Sequence, residues 1–114
     1  MEKSYYLTFG YPKEDKAELG KIISDKLGIH LKIMSRGTLG YRFGTIAETL
    51  SIIENYSEED DWWHEETFQN YPVLVRVSFT QGKNVDRKQR AGKVREILKS
   101  VDDLVEIRFE VVES

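Results

Sequence analysis

The chain has 114 residues, of which 39% are hydrophobic and 32% are charged, and its formal net charge is −3. This length corresponds to one ordinary domain that can bury a hydrophobic core without a disulfide or metal staple, and we expect a single domain over residues 1–114. The absence of cysteine excludes disulfides, thiolate metal sites and cysteine nucleophiles. No apolar run approaches the ~20 residues of a membrane span, and the first residues lack signal-peptide character, so we expect a cytoplasmic protein.

The first part of the chain predicts a strand, a helix and a hairpin, in that order. Tyr5–Phe9 is rich in aromatic and β-branched residues, which favours a strand. Lys13–Leu27 places its apolar residues on one face at helical spacing. The alternating stretches Ile29–Ile33 and Tyr41–Phe43 are separated by the turn residues of Ser35–Gly40, which predicts two paired strands.

A second helix is predicted to begin at Thr45. Thr45 and Glu48 have the spacing of a capping box, in which each residue satisfies a backbone N–H of the other. Apolar residues then recur at helical spacing, namely Ile46, Leu50 and Ile53. We therefore expect this helix to extend to about Tyr56.

The second half predicts a central strand, a long helix and a final strand. In Val73–Phe79 every second residue is apolar, and the residues between them are partly apolar too, which indicates a strand in the middle of a sheet. Asp86 and Gln89 stand at N-cap and N3 spacing and predict the start of a helix that ends near Val101. Val105–Val111 alternates again and predicts the last strand.

The predicted element order is β-α-β-β-α-β-α-β. Strands separated by single helices, with one hairpin among them, predict an α+β fold. We expect a single sheet of four to five mostly antiparallel strands with helices on one face. A ferredoxin-like arrangement is the first choice.

One stretch, Ser57–Asn70, concentrates both acidic and aromatic residues, and we call it the acidic-aromatic segment. It holds six acids and no Lys or Arg, so the rest of the chain carries a net charge of +3. The two tryptophans of the chain, Trp62 and Trp63, are adjacent here. Any regular element points adjacent side chains apart, so we expect one indole to pack on the domain, near Tyr56 or Phe68, and the other to be exposed.

Acids around an aromatic residue suit a protein partner with a basic surface. Charge accelerates the encounter, and a tryptophan is among the residues that most often anchor an interface. The alternative is a solvated connecting loop in which one tryptophan covers the core and the acids keep the segment in water.

The other motifs argue against catalysis and metal binding. His30 and His64 lie in no zinc-site spacing, and Glu58–Asp61 lacks the alternating ligands and turn glycine of a calcium loop. The glycine-rich stretch Gly37–Gly44 has neither phosphate-loop nor dinucleotide-binding spacing. No serine has the GxSxG setting of a hydrolase nucleophile. We expect no enzyme activity, no catalytic residue, no metal and no cofactor.

The predicted helix after Asp86 has one strongly basic face, between Arg87 and Lys99. Acids outnumber bases in the whole chain, and no strand carries an RNA-binding aromatic motif. We therefore interpret this face as solvated and expect neither direct nucleic-acid binding nor membrane binding.

At the level of a class, the chain resembles the immunity proteins of bacterial toxin systems. The resemblance rests on a small, acidic, cysteine-free α+β chain with a concentrated patch of acids and tryptophans between Glu58 and Glu66. It implies an inhibitor that binds and neutralises one cognate toxin or nuclease in the cytoplasm. The partner-binding residues would be Glu58, Glu59, Asp60, Asp61, Trp62, Trp63, Glu65 and Glu66. The alternative function is a ferredoxin-like small-molecule-binding or regulatory domain, with its ligand near Gly37–Gly44.

Overall fold

The computed structural model describes residues 1–33, 38–43 and 48–114 and shows an α+β fold with a mostly antiparallel six-stranded sheet. In this part of the chain two α-helices accompany the strands. The elements are β1 (Lys3–Tyr11), α1 (Lys16–Leu27), β2 (Lys32–Ile33), β3 (Leu39–Phe43), β4 (Glu48–Glu54), β5 (Tyr56–Ser57), β6 (Trp62–Trp63), β7 (Val73–Phe79), α2 (Asn84–Lys99) and β8 (Val105–Glu113). The sheet order is β2-β3-β4-β7-β1-β8, and β5 pairs with β6 in a separate small sheet.

The two helices cover one face of the six-stranded sheet. Alternate residues of β1, such as Leu7 and Phe9, are buried on this face and belong to the hydrophobic core. Leu19 of α1 and Leu98 of α2 are buried in the same core. The other face carries the intervening residues of each strand, among them Thr8, and we call it the helix-free face.

Strand β7 lies in the middle of the sheet, as its sequence pattern predicted. It pairs antiparallel with β4 on one side and β1 on the other. Val75 and Val77 are buried, and Val77 stands between Leu7 and Leu50 in the register of the three strands. Two apolar cross-strand neighbours and the helices therefore enclose the Val77 side chain.

Both helices begin where a side-chain contact fixes their first turn. The Asp15 side chain accepts a hydrogen bond from the Glu18 N–H at 3.0 Å, so α1 begins at Lys16. The N-cap of helix α2 is Lys83, three residues before the predicted Asp86, because Asn84 ties the helix to β1. The Asn84 carboxamide accepts from the Lys3 N–H at 3.0 Å and donates to the Met1 carbonyl at 2.7 Å.

The predicted helix from Thr45 is wrong, because residues Glu48–Glu54 form strand β4. Thr45 and Ile46 lie outside the described residues. Leu50 and Ile52 are buried with period two, and Thr49 on the opposite face hydrogen-bonds through its hydroxyl to Ser78 of β7. Pairing with β3 and β7 thus overrides the helical spacing that the sequence also contains.

This change accounts for the larger sheet. With β4 added, the sheet has six strands rather than four to five. The predicted strand Ile29–Ile33 contributes only Lys32 and Ile33, which pair with β3 as the expected hairpin. Part of the turn between them, residues 34–37, lies outside the described residues.

Strand β8 forms one edge of the sheet. It forms eight residue pairs with β1, and the register shifts between Thr8 and Phe9, as in a β-bulge. Val111 and Val112 near its end are 47% and 46% exposed. Four of its nine residues are charged: Glu106, Arg108, Glu110 and Glu113. In the part of the chain that the structure describes, neither helix has the length and apolarity needed to cross a bilayer.

Candidate functional site

The chain between β4 and β7, residues 55–72, folds across the helix-free face of the sheet. Its last turn packs over Gly10 of β1, where an added Cβ would lie 2.5 Å from Cγ of Tyr71. No side chain fits at that distance, so the glycine allows Tyr71 to sit directly on the strand. The end of the insertion is therefore packed directly against β1.

Asn55 holds the base of this insertion. It is fully buried, and its carboxamide Nδ2 donates to the carbonyls of Tyr71 at 2.9 Å and Phe68 at 3.0 Å. Its Oδ1 accepts from the Glu65 N–H at 2.8 Å. The backbone of Asn55 makes two more hydrogen bonds, both at 2.8 Å. Its N–H donates to the Pro72 carbonyl, and its carbonyl accepts from the His64 N–H. One side chain thus satisfies several backbone groups that the irregular chain would otherwise leave unpaired.

An ion pair joins the far side of the insertion to strand β8. Glu65, which is 8% exposed, accepts from Arg108 Nε at 2.9 Å and lies 2.9 Å from Arg108 Nη2. This hydrogen bonding raises the pKa of the Arg108 guanidinium above its usual value. Glu65, one of the predicted partner-binding residues, therefore forms an ion pair within the chain.

The consecutive acids Glu58–Asp61 form the turn between β5 and β6, and all four are exposed. The two aspartates shape the turn. The Asp60 N–H and carboxylate both bond the Ser57 hydroxyl, at 3.3 Å and 3.2 Å. Asp61 has a left-handed backbone (φ 51°), which Asp tolerates better than most residues, and it accepts from the Tyr56 hydroxyl. That hydrogen bond is the main reason that the pKa of Tyr56 is raised.

The adjacent tryptophans point to opposite sides of strand β6, as predicted. Trp62 is 48% exposed and its ring centroid lies 4.6 Å from that of His64. Trp63 is partly buried, with its ring centroid 5.0 Å from that of Tyr56. The exposed indole is therefore the one directly after the acidic turn. Glu66, the last predicted site residue, is exposed at the start of a short 3-10 helix.

His64 does not offset the acidic charge of the hairpin at neutral pH. Burial lowers its pKa below the ordinary value, and the nearby positive charge of Arg76 lowers it further, against smaller opposing effects of Asp60 and Glu65. The imidazole is therefore mainly neutral at pH 7.

Two grooves flank the hairpin, and carboxylates line both of them. One, of about 410 Å³, lies between the hairpin and the region before α1 and combines three glutamates with two aromatic rings. Its lining includes Glu14, Glu54, Glu58, Tyr56 and Trp63. The other, of about 530 Å³, runs between the hairpin and the sheet and includes Glu54, Glu58, Glu59, Asp60, His64 and Arg76. An acidic surface therefore extends from the turn along both sides of the hairpin.

The structure brings five of the eight predicted site residues together at the turn: Glu58, Glu59, Asp60, Asp61 and Trp62. Trp63 and Glu65 face inward. The alternative ligand site, Gly37–Gly44, lies partly outside the described residues, and its middle portion forms β3. In the described part of the chain no group of three or more His, Asp or Glu side chains is placed to hold a metal ion.

No protein-family model, curated protein or solved structure matches this chain. The site is therefore interpreted from its own geometry.

Proposed function

We propose that this chain is a protein inhibitor of the immunity-protein type, which neutralises a cognate toxin or nuclease by binding its basic surface. The observation that carries the proposal is an exposed tryptophan, Trp62, directly after an exposed acidic turn on a hairpin fixed at its base. The negative charge would accelerate association with a basic surface, and the indole would supply the desolvated contact.

The anchoring of the hairpin supports a binding role. Asn55 ties the two ends of the insertion together, and the Glu65–Arg108 pair connects it to β8. A surface that is already ordered loses little conformational freedom on binding, so more of the contact energy contributes to affinity. A solvated connection would need neither anchor.

We infer that the underlying architecture is ferredoxin-like with additions. Strands β4, β7, β1 and β8 are adjacent in the sheet, and with α1 and α2 they follow the chain order β-α-β-β-α-β. In this interpretation β2 and β3 extend the sheet, and the β5–β6 hairpin is inserted between the second and third core strands. Insertions into such a scaffold are the usual place for binding functions.

Charge reversal at Glu58 and Glu66 tests the role of the acidic surface. Both side chains are exposed, and reversing them leaves the turn contacts of Asp60 and Asp61 in place. The partner is first isolated from the native host as a stoichiometric complex with tagged wild-type chain, and its activity is measured with and without the chain. Glu58→Lys/Glu66→Lys should slow association and weaken binding, most strongly at low salt, while the melting temperature stays within a few degrees.

The matched control is Asp25→Lys/Glu96→Lys, which makes the same charge change at exposed positions on α1 and α2. This control should keep nearly all of the wild-type association rate. Equal losses in both variants would show that only the net charge matters, and unchanged binding in the hairpin variant would move the interface elsewhere. Recovery of the tagged chain without a stoichiometric protein partner would count against the proposal itself.

Alanine substitutions of the two tryptophans should affect different properties, one the binding affinity and the other the free energy of unfolding. Trp62→Ala should cost about 2 kcal/mol or more in binding, roughly a thirtyfold rise in Kd, with little loss of stability. Trp63→Ala should instead lower the free energy of unfolding by about 1 kcal/mol, because it removes a half-buried ring that packs on Tyr56. Calorimetric titration and urea unfolding of both variants measure the two effects. If Trp62→Ala binds like the wild type, the exposed indole is no anchor.

A further inference from the structure

Arg76 of β7 lies at the centre of the helix-free face. In the register of the sheet it stands between Thr8 of β1 and Ser51 of β4. Its side chain is partly buried, and among the ion pairs and hydrogen bonds of the described residues none involves it. A guanidinium that has lost part of its hydration and has no carboxylate partner retains unused hydrogen-bond donors.

Hydroxyl groups surround this guanidinium. A cavity of about 360 Å³ opens on the helix-free face beside Arg76 and Arg108. Its lining includes five hydroxyl-bearing side chains, those of Tyr6, Thr8, Thr49, Ser51 and Ser78. The Thr49 and Ser78 hydroxyls bond each other, which leaves Thr8 and Ser51 as the hydroxyls directly beside Arg76 in the register. A hydroxyl can donate to a bound oxygen atom, so this platform adds donors to those of the arginine.

Two arginines, Arg76 and Arg108, and two glutamates, Glu65 and Glu110, line the cavity, and their positions decide where an anion fits. Arg108 is matched by Glu65, and Glu110 is exposed at the far end of the same row as Tyr6. The opposite side of Arg76 faces the acidic groove under the hairpin, where Glu58 and Asp60 would repel an anion. The site available to a negative ligand is therefore the cavity between Arg76 and β8.

We propose that this cavity binds a small oxyanion, a carboxylate or a phosphate, held by the guanidinium fork of Arg76 with Thr8 and Ser51 as flanking donors. The planar fork of arginine matches the two oxygens of such a group and binds it through two parallel hydrogen bonds. The inference does not rest on the proposed inhibitor function, because it concerns a different surface and a ligand of opposite charge.

The test is titration of the 15N-labelled protein with sodium acetate and, separately, with sodium phosphate, at constant ionic strength maintained with sodium chloride. Backbone amide shifts of Thr8, Ser51 and residue 76 are followed. At least one probe should give saturating shifts, and the probe that binds more tightly identifies the ligand as a carboxylate or a phosphate. Arg76→Gln should abolish saturation, and Lys88→Gln, which removes one positive charge from an exposed position on α2, should leave it unchanged.

Folding of the Arg76 variants is checked by thermal unfolding. If Arg76→Gln does not fold, Arg76→Lys replaces it, since this variant keeps the charge and loses the fork, and binding should then weaken about tenfold. Shifts that rise linearly for both probes, as in sodium chloride alone, would overturn the proposal. Saturation that survives unchanged in a folded Arg76 variant would overturn it too.

Discussion

Val77→Asp should prevent the chain from folding stably. Val77 is 2% exposed and lies between Leu7 and Leu50 in the central three strands. A carboxylate there would be buried without a partner, and we expect a loss of at least about 4 kcal/mol in the free energy of unfolding. Since domains are typically stable by only about 5–15 kcal/mol, far-UV circular dichroism and urea unfolding should show a largely unfolded or aggregated protein.

The control is the same substitution at an exposed valine of α2. Val85 is 59% exposed in the first turn of this helix, where a negative charge is favourable. Val85→Asp should therefore unfold within about 0.5 kcal/mol of the wild type. A soluble Val77→Asp protein with native unfolding behaviour would show that β7 does not lie in the core.

Asn55→Ala should loosen the base of the insertion. The substitution removes the bonds to the Tyr71 and Phe68 carbonyls and leaves the Glu65 N–H without an acceptor. Unsatisfied buried backbone groups cost about 1–3 kcal/mol each, so we expect a loss of about 3 kcal/mol. Hydrogen exchange of the Glu65 amide should accelerate strongly, whereas the amides of β7 that pair with β1 should lose protection only as far as global stability falls.

Asn55→Asp distinguishes the loss of the carboxamide donor from the loss of side-chain volume. It preserves the size of the side chain and the acceptor for Glu65, but it directs an oxygen at the carbonyls of Phe68 and Tyr71. We expect it to destabilise the protein at least as much as Asn55→Ala. Wild-type stability in the aspartate variant would mean that the carboxamide donor does not hold the insertion. Either destabilised variant should also bind the proposed partner more weakly, because Trp62 would no longer be presented on a fixed hairpin.

The sequence predicted best those elements whose patterns are continuous. Strand β7 has seven alternating residues with apolar side chains on both faces, and its central position follows from that pattern alone. The helix after it was predicted to end near Val101, and it ends at Lys99. Its N-cap was missed by three residues because Asn84 bonds to β1, 81 positions away, and no local pattern shows such a contact.

The error at β4 has a physical origin. Ile46, Leu50 and Ile53 have helical spacing, whereas Leu50 and Ile52 have strand spacing, and a stretch of seven residues is too short to separate the two patterns. The decision between them comes from the two neighbouring strands, which supply hydrogen bonds along both edges of β4. Three β-branched residues, Thr49, Ile52 and Ile53, favoured the strand and were the available local signal.

Only those features of the site that depend on adjacent residues were predicted from the sequence. The divergence of Trp62 and Trp63 follows from adjacency, and the exposed turn follows from four consecutive acids. The roles of the anchoring residues depend on distant partners: Glu65 meets Arg108 across 43 positions, and Asn55 meets Tyr71 across 16. The hydroxyl-bearing neighbours of Arg76 could not be predicted, because they follow from the strand register.

Strand β8 shows how this fold guards against aggregation. An edge strand nine residues long, with exposed valines near its end, offers unpaired backbone groups on which a foreign chain could assemble into cross-β fibrils. Its bulge twists the edge, and the charges at Glu106, Arg108 and Glu110 act as gatekeepers that an incoming strand would have to bury. The arginine that pairs with Glu65 is thus also one of the charges that disfavour pairing of this edge with another strand.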